Sequence, residues 1–184
     1  ISYVVTLLIL AYNEENFIEK TVKKYIHDFE EIVIVDDSSK DNTLAICKKL
    51  QDEYGNIRII ENNKNLGAGK SFEVGVKYFL ETDSEYLLKI DGDDQFKYAD
   101  IVRIQTLSDE ESIDFIKCDR FWENGIEGKI PRIRYLGNTF ASILLKFLTG
   151  NWKINDPLNG LFLISRKRRQ DFKLPRLFYR YDYP

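Results

Sequence analysis

The sequence predicts an α/β protein built on a doubly wound, mostly parallel sheet. Three observations predict it. Over residues 1–98, short apolar runs of strand length alternate with stretches of helical period. The run at residues 4–10 is continuous rather than alternating, as a strand buried on both faces requires. A polar cluster follows each run, and ligands of open α/β sheets bind outside the carboxyl ends of the strands.

Residues 4–10 form the first run. Asn13-Glu14-Glu15 then opens a helix whose Phe17, Ile18, Val22, Ile26 and Phe29 share one face. Residues 31–35 form a second strand, ending at Asp36-Asp37-Ser38-Ser39. Asp41-Asn42-Thr43 supplies caps for the next helix, with Leu44, Cys47, Leu50 and Tyr54 facing inward. A third strand spans 57–61, and Asn65-Leu66-Gly67-Ala68-Gly69 turns into a helix that buries Phe72, Val76 and Phe79. The fourth strand, 86–90, stops at Asp91. This βαβαβαβ order predicts right-handed crossovers and a parallel sheet. Beyond Ala99 the pattern changes to a short helix with Ile101, Val102, Ile104 and Leu107 and a strand at 113–117. A loop over 119–135, an apolar-rich helix at 136–148 and a last strand at 160–165 follow.

A chain of 184 residues is read as one domain, 1–98 carrying one binding function and 99–184 another. The longest apolar stretch is too short to span a bilayer, and no basic segment precedes it as a signal peptide requires. Cys47 and Cys118 form no CxxC pair, so a reduced, cytoplasmic setting is expected and a zinc site is not. The chain has no methionine, begins at Ile1 and stops at Tyr183-Pro184. We therefore expect a fragment truncated at its C-terminus, where a membrane anchor could follow. Charge is uneven: residues 1–116 carry 24 acidic and 13 basic side chains, residues 117–184 carry 6 acidic and 14 basic. That basic half suits an anionic partner such as a lipid phosphate or headgroup, or forms a solvated basic face; nucleic acid is not expected.

Asp91-Gly92-Asp93-Asp94-Gln95 carries the chemistry. Carboxylates at i and i+2 on a tight turn can reach one hard cation, and Gly92 permits the bend. A surface acidic turn is the competing reading; the position after a buried strand, beside three other polar strand ends, favours the cation. Asp36 and Asp37 can accept hydrogen bonds from a ribose hydroxyl or a base N–H, or serve as helix caps, and Asn13-Glu14 shares that ambiguity. The glycines near Asn65 invite two wrong readings. A Walker A loop would need glycine at Lys64, and a dinucleotide fingerprint would need one at Phe72. They are expected instead to bring helix-start amides near a ligand, or to make a tight turn.

Four motifs occur in order: Ala11-Tyr12-Asn13-Glu14-Glu15, Val35-Asp36-Asp37-Ser38-Ser39-Lys40-Asp41-Asn42-Thr43, Asn65-Leu66-Gly67 and Ile90-Asp91-Gly92-Asp93-Asp94-Gln95. Together they resemble the signature series of family 2 glycosyltransferases. Arg132-Ile133-Arg134-Tyr135-Leu136-Gly137-Asn138 and Asp156-Pro157-Leu158-Asn159-Gly160 are similar to the branch of dolichyl-phosphate mannose synthase and polyprenyl-phosphate glycosyltransferases. Ala11 departs from the proline often found there.

The resemblance implies a GT-A fold, a Rossmann-like sheet flanked by helices with a smaller acceptor-binding region. It implies nucleotide contacts at Ala11, Tyr12, Glu14, Asp36, Asp37, Asn65, Gly67 and Asp91. It implies Mg2+ or Mn2+ on Asp91 and Asp93 with Gln95 as a third ligand, and catalytic roles for Asp93 and Asp156. Arg132 and Arg134 would face an acceptor phosphate. The implied reaction is inverting transfer of a hexose from a UDP- or GDP-sugar to a polyprenyl phosphate (dolichyl or undecaprenyl) at the cytoplasmic face of the membrane. The helix at 136–148 would then pack in the core or lie in the bilayer surface. Two alternatives stand beside it: a transferase elongating a surface polysaccharide with Asp156 as base, and a nucleotide-sugar-binding module without activity.

Overall fold

β1 (Val5–Ala11) is buried at every position, and its run of Leu, Ile and Val suits a strand covered on both faces. In the computed structural model of the chain, residues 4–110, 114–117 and 160–167 are described. The expected loop at 119–135, the helix at 136–148, Cys118, Arg132, Arg134 and Asp156 lie outside them.

β2 (Glu31–Asp36) lies on one side of β1 and β4 (Tyr86–Asp91) on the other, both parallel to it. β3 (Ile57–Glu61) extends the sheet beyond β2. On the far edge β6 (Phe162–Ser165) runs antiparallel to β4, and β5 (Phe115–Lys117) pairs antiparallel with β6. The order among the described residues is β3-β2-β1-β4-β6-β5.

Side chains alternate along each strand, so the sheet feeds two cores. Leu7 and Ile9 of β1 and Ile32 and Ile34 of β2 pack against α1 (Ile18–Tyr25), α2 (Thr43–Glu53) and α4 (Tyr98–Glu110) through Ile18, Val22, Cys47, Leu50, Ile101 and Ile104. Leu8, Leu10, Val33 and Val35 meet Phe72, Val76 and Phe79 of α3 (Ala68–Glu81). Each large apolar side chain buried this way contributes about 1.5–3 kcal/mol. No described helix is long and apolar enough to cross a membrane.

The structure corrects several local expectations. Asn13 takes φ 58°, outside the helix, and the N-cap is Phe17 at φ −125°, so α1 begins only at Ile18 and Phe17 is 47% exposed rather than buried. Ile26 and Phe29 are buried, but beyond the end of α1. Asn42 makes no side-chain cap bond to α2. Asp41 does that work, its Oδ1 accepting the Thr43 N–H (3.0 Å) and hydroxyl (2.6 Å). Leu44 and Tyr54 are half-buried. The helix after Ala99, expected to be short, runs 13 residues.

Candidate functional site

The polar strand ends come together through strand register. Ala11 is paired with Asp36, Asp36 with Glu61, and Leu10 with Asp91. The chain steps outward from β1 through β2 to β3, then returns to β4 on the other side of β1. That reversal opens a crevice at the carboxyl ends, where ligands of such sheets bind.

Two loops clasp each other over this edge. The backbone N–H groups of Asn13, Glu14 and Glu15 donate to Ser39 Oγ (3.0 Å), Thr43 Oγ1 (2.7 Å) and Asp41 Oδ2 (3.1 Å). In return Lys40 N donates to Asn13 Oδ1 (2.8 Å), and Asn42 N donates to Glu15 Oε2 (3.0 Å). The sequence signal was the dense run of short polar side chains after each strand, which satisfy loop backbone groups well. Tyr12 stands out from this clasp, 38% exposed.

Asp37 is 4% exposed and acts as a strut. Its Oδ1 accepts from Leu66 N (2.8 Å) and Asn62 Nδ2 (2.9 Å), its Oδ2 from Gly67 N (2.8 Å). Gly67 has φ 82°, a conformation open to glycine, and this turns both amides onto the carboxylate. The loop amides of Leu66 and Gly67, just before α3, are therefore held by Asp37. A carboxylate offers about four acceptor positions, so one remains. Asn65 is half-buried beside them. Asp36, 1% exposed, accepts Ser39 N on Oδ2 (3.0 Å), while its Oδ1 is buried without a hydrogen bond.

Helix α1 holds the turn after β4. Thr21 Oγ1 donates to the Gly92 carbonyl (3.1 Å), and Gly92 N donates to Leu10 O (3.0 Å). Lys20 and Lys24 pair with Asp94 at 2.6 and 2.7 Å, and Lys24 also reaches Phe96 O (2.8 Å). Burial alone would raise the Asp94 pKa; the two ammonium groups outweigh it and hold the carboxyl below its ordinary range. Asp94 is thus spent on the scaffold, leaving Asp91 and Asp93 for the crevice. Gln95 is exposed, and its backbone N–H donates to Asp93 Oδ1 (3.3 Å).

Glu14, Asp91 and Asp93 act on one another electrostatically. Burial, then the charges of Asp93, Asp91 and Asp41, push Glu14 up to about 7. Burial and Asp91 likewise raise Asp93. Negative charge gathered here without full compensation fits a cation. Among the described residues, no group of three or more His, Cys, Asp or Glu side chains could hold a metal alone.

The profile described as "Glycosyl transferase family 2" matches residues 6–170. The chain belongs to that family. An uncharacterised protein of Methanocaldococcus jannaschii is 35% identical over 143 residues, 74% of this chain and 58% of its own length. The UDP-N-acetylglucosamine–dolichyl-phosphate N-acetylglucosaminyltransferase of Methanococcus voltae is 29% identical over 174 residues, 87% of this chain and 68% of its own. The chain thus spans about three fifths to two thirds of the length of these relatives. Among solved structures, glucosyl-3-phosphoglycerate synthase of Mycobacterium tuberculosis, in complex with Mn2+, UDP and glucosyl-3-phosphoglycerate, superposes with a TM-score of 0.65 at 20% identity. That match covers 90% of this chain and 57% of that one. Such neighbours are GT-A glycosyltransferases, and this family 2 chain has their fold.

Sequence reasoning gave this family 2 site no role for Lys89. It lies in the middle of the apolar run of β4, is 1% exposed, and places Nζ 2.6 Å from Asp91 Oδ1. A single charge inside a strand buried on both faces was the signal that could have found it. Lys20, Thr21 and Lys24 were missed as well, since nothing in α1 itself says that its polar side holds the turn after β4.

Proposed function

We propose that the protein transfers a hexose from a UDP- or GDP-sugar to a polyprenyl phosphate, with inversion and with help from Mg2+ or Mn2+. One observation carries this reading. Glu14, Asp91 and Asp93 gather negative charge that is not fully compensated at the switch point of a family 2 sheet, and burial together with that charge pushes Glu14 up to about 7. Asp91 and Asp93, with Gln95, would hold the cation, and water and donor phosphate oxygens would complete its shell. Bound there, a divalent cation would neutralise charge on the departing nucleoside diphosphate.

The remaining chemistry falls to the chain. Ala11, Tyr12, Glu14, Asn65 and Gly67 would line the nucleotide pocket. The free acceptor position of Asp37 and the unpartnered Oδ1 of Asp36 suit a base N–H and a ribose hydroxyl. The acceptor phosphate oxygen would form the new bond to the anomeric carbon as the bond to the diphosphate breaks. A phosphate monoester is already ionised near pH 7 and needs no base; Arg132 and Arg134 would hold it. Asp156 would orient the acceptor, or take its proton were it an alcohol. A relative named for a dolichyl-phosphate acceptor supports the lipid phosphate; acting on such a lipid, the protein would work at the cytoplasmic face of the membrane.

The test offers UDP-N-acetylglucosamine, UDP-glucose and GDP-mannose with undecaprenyl phosphate, dolichyl phosphate or free sugars, in Mn2+ or EDTA. Transfer to a lipid phosphate that EDTA abolishes is expected, and Asp91→Asn and Asp93→Asn should each lower it about a hundredfold. Transfer to free sugars alone, sensitive to Asp156→Asn, would move the reading to polysaccharide elongation. Tight nucleotide binding that ignores Mn2+, with no transfer to any acceptor, would leave a binding module.

A further inference from the structure

Lys89 stands where an apolar residue would be cheaper. Its neighbours on β4, Leu87, Leu88 and Ile90, are all buried and apolar. Replacing a buried ion pair with well-packed apolar groups is often neutral or stabilising, so stability alone gives no reason for a lysine here. Its ammonium reaches Asp91 Oδ1 at 2.6 Å and lies 5.9 Å from the ring centroid of Phe162, its register partner on β6.

Gly160 closes the other side. A Cβ at this position would overlap Asp91 Oδ2 and stand 2.8 Å from Lys89 Nζ. The space that a side chain at 160 would fill is the space the second carboxylate oxygen of Asp91 occupies. One oxygen is thus held by an ammonium and the other is seated against bare backbone, which restricts both torsions of the side chain.

We propose that Lys89 and Gly160 form a socket that fixes the carboxylate of Asp91, making Lys89 a positioning residue for joint cation and diphosphate binding at the Asp91-Gly92-Asp93 turn. This rests on the metal-dependent reading above. A ligand held in its binding orientation loses less freedom when the cation arrives, and groups that orient metal ligands typically affect metal affinity about 10–100-fold. The direction of the effect separates positioning from simple charge. Removing a positive charge beside a carboxylate should tighten cation binding on electrostatic grounds, whereas losing the socket should weaken it.

Mn2+ and UDP binding is measured by calorimetry and by Mn2+ electron paramagnetic resonance for the wild type, Lys89→Met and Gly160→Ala. The socket predicts that each variant loses about tenfold or more in Mn2+-dependent UDP affinity while metal-free UDP binding is unchanged. Equal or tighter Mn2+ binding in folded Lys89→Met would overturn it. Melting temperatures without ligand provide a second arm. Asp91→Asn removes the carboxylate that pairs with the buried ammonium, so it should lower Tm more in the wild-type background than in the Lys89→Met background. An equal fall in both would also overturn the socket. Should the wild type show no Mn2+-dependent UDP binding, the metal-dependent reading falls, and the melting comparison still decides whether the socket exists.

Discussion

Glu14 shows how one side chain registers the whole strand edge. Its ordinary pKa of 4.5 is pushed up to about 7, first by burial and then by Asp93, Asp91 and Asp41. A carboxyl whose folded pKa exceeds its unfolded value stabilises the fold fully below about pH 4.5, and that stability is lost as pH rises through about 7. Without a divalent cation, Tm should therefore fall between pH 5 and pH 8, and Glu14→Gln should flatten the fall. Thermal scans across that window in EDTA check this; a variant that falls as steeply as the wild type would show that Glu14 does not carry the effect. Cys47 is the quiet counterpart: burial, with Asp36 and Asp41, pushes its thiol up to about 12, so it is inert at neutral pH.

Among the elements, strands were legible and loops were not. β3 was read at its observed bounds, and β1, β2 and β4 within a residue, because a continuous apolar run is a local signal. Asn13 does not open a helix as expected, because its positive φ answers to contacts with Ser39 and Lys40, far along the chain. The turn at Leu66-Gly67 depends in the same way on Asp37. Asp37→Ala would leave two loop amides and Asn62 short of an acceptor, at a cost of about 1–3 kcal/mol. Urea unfolding should show that loss, and amide exchange at Leu66 and Gly67 should quicken more than in β1. Exchange unchanged at those two amides would mean that other groups hold the turn.

At the scale of the whole molecule, the antiparallel edge is tied to the parallel core by Arg166. Its guanidinium donates to the carbonyls of Phe79 (3.0 Å), Thr82 and Ser84 (2.7 Å), at the end of α3 and the approach to β4. It also lies 5.0 Å from the Phe79 ring centroid. A cation at a helix C-terminus also complements the negative end of the helix dipole. Arg166→Met should lower unfolding stability by about 2 kcal/mol, read as a shift in the urea midpoint. A shift below about 0.5 kcal/mol, the usual range of a surface substitution, would show that the tie carries no weight.

The family, the succession of strands and helices over residues 1–98 and the acidic turn after the fourth strand were determined by the sequence itself. Each is written in residues close together in the chain: an apolar run, a helical period, a motif of five residues. Only the tertiary structure decided what holds each carboxylate. Asp94 goes to Lys20 and Lys24, Asp37 to the Leu66-Gly67 amides, and Asp91 to a buried lysine and the bare backbone of Gly160. Those assignments depend on elements tens of residues apart reaching hydrogen-bond distance, and the spacing of residues within one motif carries no information about that.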